Sequence, residues 1–136
     1  MDSFPKNVKL LSTQRFIYGG RSTGNFDNFN LAIHVNDNKE NVLENRNILK
    51  GQFNLPSAPV WINQTHSSIC IDAALTNEII EADAIYSSKV GVVCGIMTAD
   101  CLPVFVSKKN GTMVGLAHAG WRGLVSGVIE NLIRSF

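Results

Sequence analysis

The dipeptide Asn110-Gly111 is the sequence feature that most constrains how this 136-residue chain can fold. Asn-Gly between apolar runs is the strongest short-range signal of a β-hairpin. It predicts an antiparallel hairpin that joins Val104–Ser107 to Met113–Ala117. The chain is also long enough to bury a hydrophobic core of its own.

Short apolar or β-branched segments elsewhere in the chain predict the rest of a β-sheet. A first strand is expected over Arg15–Tyr18, followed by a loop rich in Gly, Ser and Asn over Arg21–Asn30. From residue 60 onward, the expected strands are Val60–Asn63, Ile69–Asp72, Ala84–Tyr86 and Val92–Met97.

A helix is predicted between the first loop and these later strands. The segment Lys39–Lys50 can be capped by Asp37 or Asn38, and Gly51 and Pro56 are expected to end it.

A second, continuous amphipathic helix is predicted at the end of the chain, because apolar residues recur there at helical spacing. These residues are Leu124, Val125, Val128, Ile129, Leu132 and Ile133. Gly123 and Gly127 weaken this helix unless another backbone approaches closely. The expected fold class is α/β of the α+β type, with a mixed β-sheet and flanking helices in a single domain over residues 1–136.

The composition is typical of a soluble globular protein and excludes several classes of partner. Hydrophobic residues make up 45% of the chain, charged residues 17%, and the net charge is +1. We therefore expect no nucleic-acid or anionic-membrane partner. The sequence has no apolar run of membrane-spanning length and no apolar core of a signal peptide near its start. Three cysteines are too few for a disulfide framework, so a cytoplasmic location is expected.

Three residues that can ligate a metal fall at predicted strand ends. His66 lies in a polar break between two strands, Cys101 follows the end of an apolar strand, and His118 ends the strand after the hairpin. Two imidazoles and a thiolate suit zinc, and three protein ligands leave a fourth tetrahedral position open, as in catalytic zinc sites. The spacing matches no zinc-finger rule, so from the residues alone a pair of buried polar histidines with an inert thiol remains an alternative.

Other side chains are candidates for roles beside such a metal. Asp100 is either a carboxylate that orients a ligand and takes a proton, or a strand-end cap. Arg122 and Arg46 have forked donors that suit phosphate, although Arg46, in mid-helix, is also a candidate salt-bridge partner. His34 is either a pocket residue or a hydrogen-bonded structural histidine.

Four segments together resemble the YfiH-like laccase-domain family, also called multi-copper polyphenol oxidoreductases. They occur in the family's order, and the resemblance extends over about Arg15–Phe136. The segments are Gly24–Asp37 with the later Asn45-Arg46, Gln64–His66, Thr98–Val104 and His118–Gly123.

The resemblance implies a zinc-dependent purine nucleoside phosphorylase that acts on adenosine, inosine, guanosine or methylthioadenosine, with adenosine deamination as a second activity. The family's zinc ligands correspond to His66, Cys101 and His118, and the segment around His34 matches the family's pattern. A copper label also attaches to the family. A multi-copper laccase needs many more histidines than the three present here, so zinc is the expected metal. The resemblance also implies that nucleoside and phosphate are the partners.

Two other functions remain open at this stage. Cys101 as nucleophile with His118 as base would make a metal-free cysteine hydrolase or deamidase. Alternatively, the chain is a non-catalytic remnant that keeps a zinc ion for stability. Family members continue into a second half, and the last helix is still in period at Phe136, so we expect a truncated domain. An uncovered sheet edge would then favour self-association.

Overall fold

The computed structural model describes residues 4–76 and 78–136, which divide into two compact units. One unit spans residues 10–58, and the other spans residues 59–136 together with the segment before residue 10. Helices and a mixed β-sheet confirm the expected α+β fold class, whereas a single domain over 1–136 stays a prediction. Within the described residues, no helix combines the length and the apolar character needed to cross a membrane.

The unit of residues 10–58 contains one long helix, α1, over Lys39–Gln52. Asn38 caps it, since its side chain accepts hydrogen bonds from the backbone N–H groups of Glu40 and Asn41. The helix passes through Gly51, and the chain leaves it near Asn54, which has a left-handed φ of 48°. The predicted helix is therefore confirmed, but its expected end at Gly51 is wrong.

The predicted strand at Arg15–Tyr18 is wrong, because a side chain takes the place of a neighbouring strand. The amide of Asn28 donates to the carbonyl of Ile17 at 3.2 Å and accepts from its N–H at 2.9 Å. The carbonyl of Arg15 accepts from the N–H of Phe29 at 3.0 Å. The backbone groups are thus satisfied by the following loop, and no ladder with a second strand forms.

A buried asparagine organises the same loop against α1. Asn45 is fully buried, and its side chain accepts from the N–H of Arg21 and donates to Ser22 Oγ and to the carbonyl of Asn30. Ser22 in turn donates to Asp37 at 2.6 Å. A buried polar side chain with all its partners is a structural element rather than a vacant binding group.

The unit that contains residues 59–136 is built on six short strands. They are β1 Val60–Trp61, β2 Cys70–Asp72, β3 Ala84–Ser87, β4 Cys94–Gly95, β5 Leu102–Ser107 and β6 Val114–Ala119. The main sheet has the order β2-β3-β6-β5, with β2 and β3 parallel and the other pairs antiparallel. The strands β1 and β4 form a separate parallel pair. The hairpin predicted from Asn110-Gly111 is confirmed as β5–β6.

Strand β5 begins at Leu102 and so includes Pro103, whose nitrogen has no hydrogen to donate to a neighbouring strand. Pro103 lies opposite His118, whose N–H is directed away from β5, to the carbonyl of Asp83 on the β3 side at 2.7 Å. The pair is therefore not hydrogen-bonded between β5 and β6, and the position that lacks an N–H faces the open edge of the sheet. Proline is tolerated at such an edge position.

The alternation of side chains along the strands produces two cores, one on each face of the main sheet. Ala84 and Ala117 face Val128 and Leu132 in one cluster. Ile85, the neighbour of Ala84, belongs to the opposite cluster. The other buried residues of that cluster are Ile62, Ala73 and Ala82.

The predicted final helix is two helices, because the chain breaks at a glycine. Helix α2 spans Trp121–Val125 and α3 spans Val128–Arg134. Gly127 between them has a φ of 87°, a left-handed conformation that no continuous helix contains. Gly123 lies where another backbone approaches closely, as expected, since a Cβ there would lie 3.2 Å from the carbonyl oxygen of Ser67.

Candidate metal centre

The loop that contains His66 is a sharp turn between β1 and β2. His66 has a φ of 60°, in the left-handed region that a residue with a side chain occupies only when its surroundings hold it there. The backbone N–H groups of Thr65, His66 and Ser67 all donate to the carboxylate of Asp83, at 3.1, 3.1 and 2.6 Å. The carboxylate of Asp83, which directly precedes β3, thus accepts from three successive N–H groups of the turn.

The segment that leads to Cys101 is held by a different side chain of the same loop. Gln64 donates to the carbonyl of Met97 at 2.6 Å and accepts from the Met97 N–H at 2.8 Å. Cys101 comes four residues later, immediately before β5. The polar break that contains His66 therefore also positions the approach to the thiol.

His118 lies on β6 and is buried, with 5% of its surface exposed. Its Nδ1 lies 2.8 Å from Oδ1 of Asp83, which is fully buried. Burial alone would raise the pKa of the Asp83 carboxyl, but the hydrogen bonds from His118, Ser67 and Thr65 lower it below its ordinary value. An ionised carboxylate can only accept, so Nδ1 of His118 is the donor, and in the neutral imidazole Nε2 then carries the lone pair.

The three expected ligands converge on one place. One potential ligand atom from each of His66, Cys101 and His118 lies within 4.8 Å of the other two. The Cys101 sulfur is 3.8 Å from Nε2 of His66, and the two imidazole rings meet edge to face with centroids 4.9 Å apart. Two imidazole nitrogens and a thiolate at such separations suit a single metal ion with a further position open.

A glycine leaves the space that this convergence requires. Gly120 follows β6, and a Cβ at this position would lie 2.9 Å from the Cys101 sulfur and 2.9 Å from Cδ2 of His66. Its φ of −65° is available to any residue, so the requirement for glycine here is steric.

The charges around Cys101 favour a cation. Burial, and then the adjacent negative charge of Asp100, raise the pKa of the Cys101 thiol. Reactive catalytic thiols have positively charged surroundings that lower the pKa instead. A metal cation would supply the positive charge that these surroundings lack.

Two of the other predicted residues lie in the same unit as the metal group. Asp100 is exposed and interacts with the Cys101 thiol, while the carboxylate that contacts His118 is Asp83. Arg122 is exposed in the first turn of α2, and its guanidinium stacks on Trp121 with 4.7 Å to the ring centroid. The roles of Asp100 in catalysis and of Arg122 in substrate binding stay predictions.

The remaining two predicted residues belong to the unit of residues 10–58. His34 is exposed in a turn. Arg46 is half-buried on α1 and donates to the carbonyl of Leu31 at 2.9 Å. Their predicted contacts with substrate stay predictions.

Asp83 is the functional residue that the sequence reasoning missed. The signal in the sequence was that an acidic residue directly precedes the apolar segment Ala84–Tyr86, where a strand was expected to begin. Its partners lie 16 to 35 residues away in the chain, so no local pattern relates them.

Comparison with known proteins identifies close relatives over nearly the whole chain. The protein named Purine nucleoside phosphorylase YfiH of Escherichia coli (strain K12) is 46% identical over 135 residues. The protein named Purine nucleoside phosphorylase of Haemophilus influenzae is 43% identical over 132 residues. Both alignments cover 97% of this chain but 54% and 53% of the relatives, so the chain spans about half the length of the curated relatives it matches.

Two solved structures resemble the fold of this chain. Neisseria meningitidis protein NMB0706 superposes with a TM-score of 0.90 at 44% identity, over 97% of this chain and 53% of that one. YlmD from Geobacillus stearothermophilus superposes with a TM-score of 0.75 at 27% identity, over 86% of this chain and 47% of that one. The sequence pattern of one family matches residues 10–136. The chain therefore belongs to the family described as multi-copper polyphenol oxidoreductase laccase, as the sequence motifs predict.

Proposed function

We propose that this chain holds one zinc ion at His66, Cys101 and His118 and provides the metal centre of a purine nucleoside phosphorylase. The observation that carries the proposal is the convergence of these three ligand atoms within 4.8 Å. The names of the relatives supply the reaction class, since those proteins are called purine nucleoside phosphorylases. The substrates proposed are adenosine, inosine, guanosine or methylthioadenosine with phosphate, and adenosine deamination is the proposed second activity.

The choice of zinc rests on the donor set and on the number of ligands. Two imidazoles and a thiolate suit zinc and also suit a single copper ion. A multi-copper oxidase needs several such sites, whereas the whole chain has three histidines and the described residues contain this one group. One ion per chain is therefore expected, and zinc needs no redox partner.

Phosphorolysis breaks the C1′–N9 bond of the nucleoside and forms a bond between C1′ and a phosphate oxygen. The proton of the phosphate moves to the departing base, so atoms and charge balance. His66, Cys101 and His118 would hold the zinc ion, which would supply Lewis acidity to the reaction when bound. Asp83 holds the proton on Nδ1 of His118, and the forked donors of Arg122 bind an anion such as phosphate.

The test combines metal analysis with an activity assay on the 136-residue chain. We expect about one zinc per chain, measured by elemental analysis, and release of free base from adenosine only when phosphate is present. Cys101→Ser should lose both the metal and the activity. Cys70→Ser is the matched control, because its sulfur contacts Ser135 at 3.5 Å and takes no part in the metal group. A metal-free, folded wild-type chain would contradict the proposal.

A metal-free cysteine hydrolase with Cys101 as nucleophile is the second candidate; the 3.8 Å contact between the Cys101 sulfur and Nε2 of His66 supports His66, rather than the expected His118, as its base. It predicts rapid alkylation of Cys101 in a chain without metal. A zinc-loaded chain that releases no base would instead support the non-catalytic zinc-binding alternative.

A further inference from the structure

The carboxylate of Asp83 receives five hydrogen bonds, all from the segment around one metal ligand or from another ligand itself. Oδ1 accepts from the His66 N–H and from Nδ1 of His118, at 3.1 and 2.8 Å. Oδ2 accepts from the N–H of Thr65 and from both the N–H and the hydroxyl of Ser67. Five donors occupy both oxygens, so this buried group acts as an acceptor only.

Asp83 and His118 are joined by backbone as well as side chain. The register of β3 and β6 pairs Ala84 with Ala117, and the next pair along the ladder is Asp83 with His118. The His118 N–H donates to the Asp83 carbonyl at 2.7 Å. Directly opposed residues of antiparallel strands point to the same face. The ladder therefore brings the carboxylate to the imidazole and leaves Nε2 as the nitrogen available to a metal.

The same carboxylate stabilises the left-handed turn at His66. Three successive N–H groups, those of residues 65 to 67, converge on it. A non-glycine residue in this conformation is strained, and charge-assisted hydrogen bonds of this kind offset the strain. Loss of the carboxylate would remove the three hydrogen bonds that hold this turn, and the His66 ring would then no longer be held toward Cys101.

We propose that Asp83 is the positioning residue of the metal site, a single buried carboxylate that orients both imidazole ligands at once. Through His118 Nδ1 it selects the tautomer whose free nitrogen faces the metal, and through the N–H groups of 65 to 67 it fixes the direction of His66. This inference rests on the proposed metal function but concerns metal affinity and ring tautomer, both measurable without turnover.

The decisive variant is Asp83→Asn, which keeps the shape of the side chain and replaces one acceptor with a donor. If the NH₂ of the amide is directed toward residues 65 and 67, it meets their N–H donors and can accept from neither. With its NH₂ toward His118, it forces the ring proton onto Nε2, the nitrogen that the metal needs. We expect the Kd for Zn²⁺ or Co²⁺, measured by chelator competition, to rise about 10–100-fold. The Co²⁺ absorption bands of a tetrahedral site with thiolate should weaken in parallel.

Asp72→Asn is the matched control, because Asp72 pairs with Tyr86 at the far end of the β2–β3 ladder and its carboxylate accepts a local N–H, that of Ala74. Its metal Kd should stay within about threefold of that of the wild type. A merely structural role for Asp83 would lower the melting temperature of the metal-free chain and leave the Kd unchanged, and that result would overturn the inference.

Ring ¹⁵N NMR of the metal-free wild type keeps the inference testable if Asp83→Asn does not fold. In the neutral ring of His118, a proton on Nδ1 supports the inference, and a proton on Nε2 overturns it. A wild-type chain that binds no metal would contradict the proposed function, while the ring measurement would still decide the effect of Asp83 on His118.

Discussion

At the scale of single residues, the metal group depends on a position that has no side chain. Gly120 lies where a Cβ would come within 2.9 Å of both the Cys101 sulfur and the His66 ring. Cβ atoms do not make contacts this close, so one of the two ligands would have to move. The backbone of Gly120 is ordinary, which separates this steric requirement from any conformational one.

Gly120→Ala should therefore weaken metal binding more than it changes the stability of the fold. We expect a rise of about tenfold or more in the metal Kd, measured by chelator competition, because small displacements of ligands reduce affinity. Gly51→Ala, at a position with open space around it, should leave the Kd unchanged. An unchanged Kd for Gly120→Ala would show that Cys101 and His66 do not approach as described.

The ligands themselves could be predicted from the sequence, and the residue that orients them could not. His66, Cys101 and His118 each lie beside irregular backbone in the sequence pattern, and the resemblance to the laccase-domain family singles them out as ligands. Asp83 has no such signature, because its role exists only when β3 and β6 are in register. A carboxylate that joins two ligands through tertiary contacts is visible only in the folded chain.

At the scale of secondary-structure elements, short sequence patterns predicted correctly those elements that are stabilised by residues close together in the chain. The Asn110-Gly111 turn and the Asn38 cap are satisfied by residues within a few positions, and both elements form as expected. The expected strand at Arg15–Tyr18 does not form, because the Asn28 side chain satisfies Ile17 from across a loop. Hydrophobic periodicity likewise continues through Gly127, where the backbone conformation ends the helix.

The break at Gly127 can be tested by a pair of identical substitutions with opposite expected effects. Gly127→Ala should lower the free energy of unfolding by about 1–2 kcal/mol, because a φ of 87° is strained for alanine. Gly51→Ala, inside α1, should raise it by up to about 0.5 kcal/mol, because alanine has the higher helix propensity. Urea unfolding with unchanged m-values measures both. A stabilising Gly127→Ala would instead indicate one continuous final helix.

At the scale of the whole chain, the motifs separate into two kinds of residue. The metal group and Asp83 lie within residues 59–136. The asparagines of the first motif, Asn28 and Asn45, satisfy backbone groups within residues 10–58, which makes them structural. The chain spans about half the length of its relatives. The three candidate metal ligands nevertheless all belong to it, so metal binding can be measured on this chain alone.

The central claim is that two imidazoles and one thiolate of this chain bind a single metal ion. X-ray absorption at the zinc edge of the loaded chain measures this coordination directly. We expect one sulfur at about 2.3 Å and two imidazole nitrogens at about 2.0–2.1 Å from the zinc ion. A first shell without sulfur, or with two or more sulfur atoms, would contradict it.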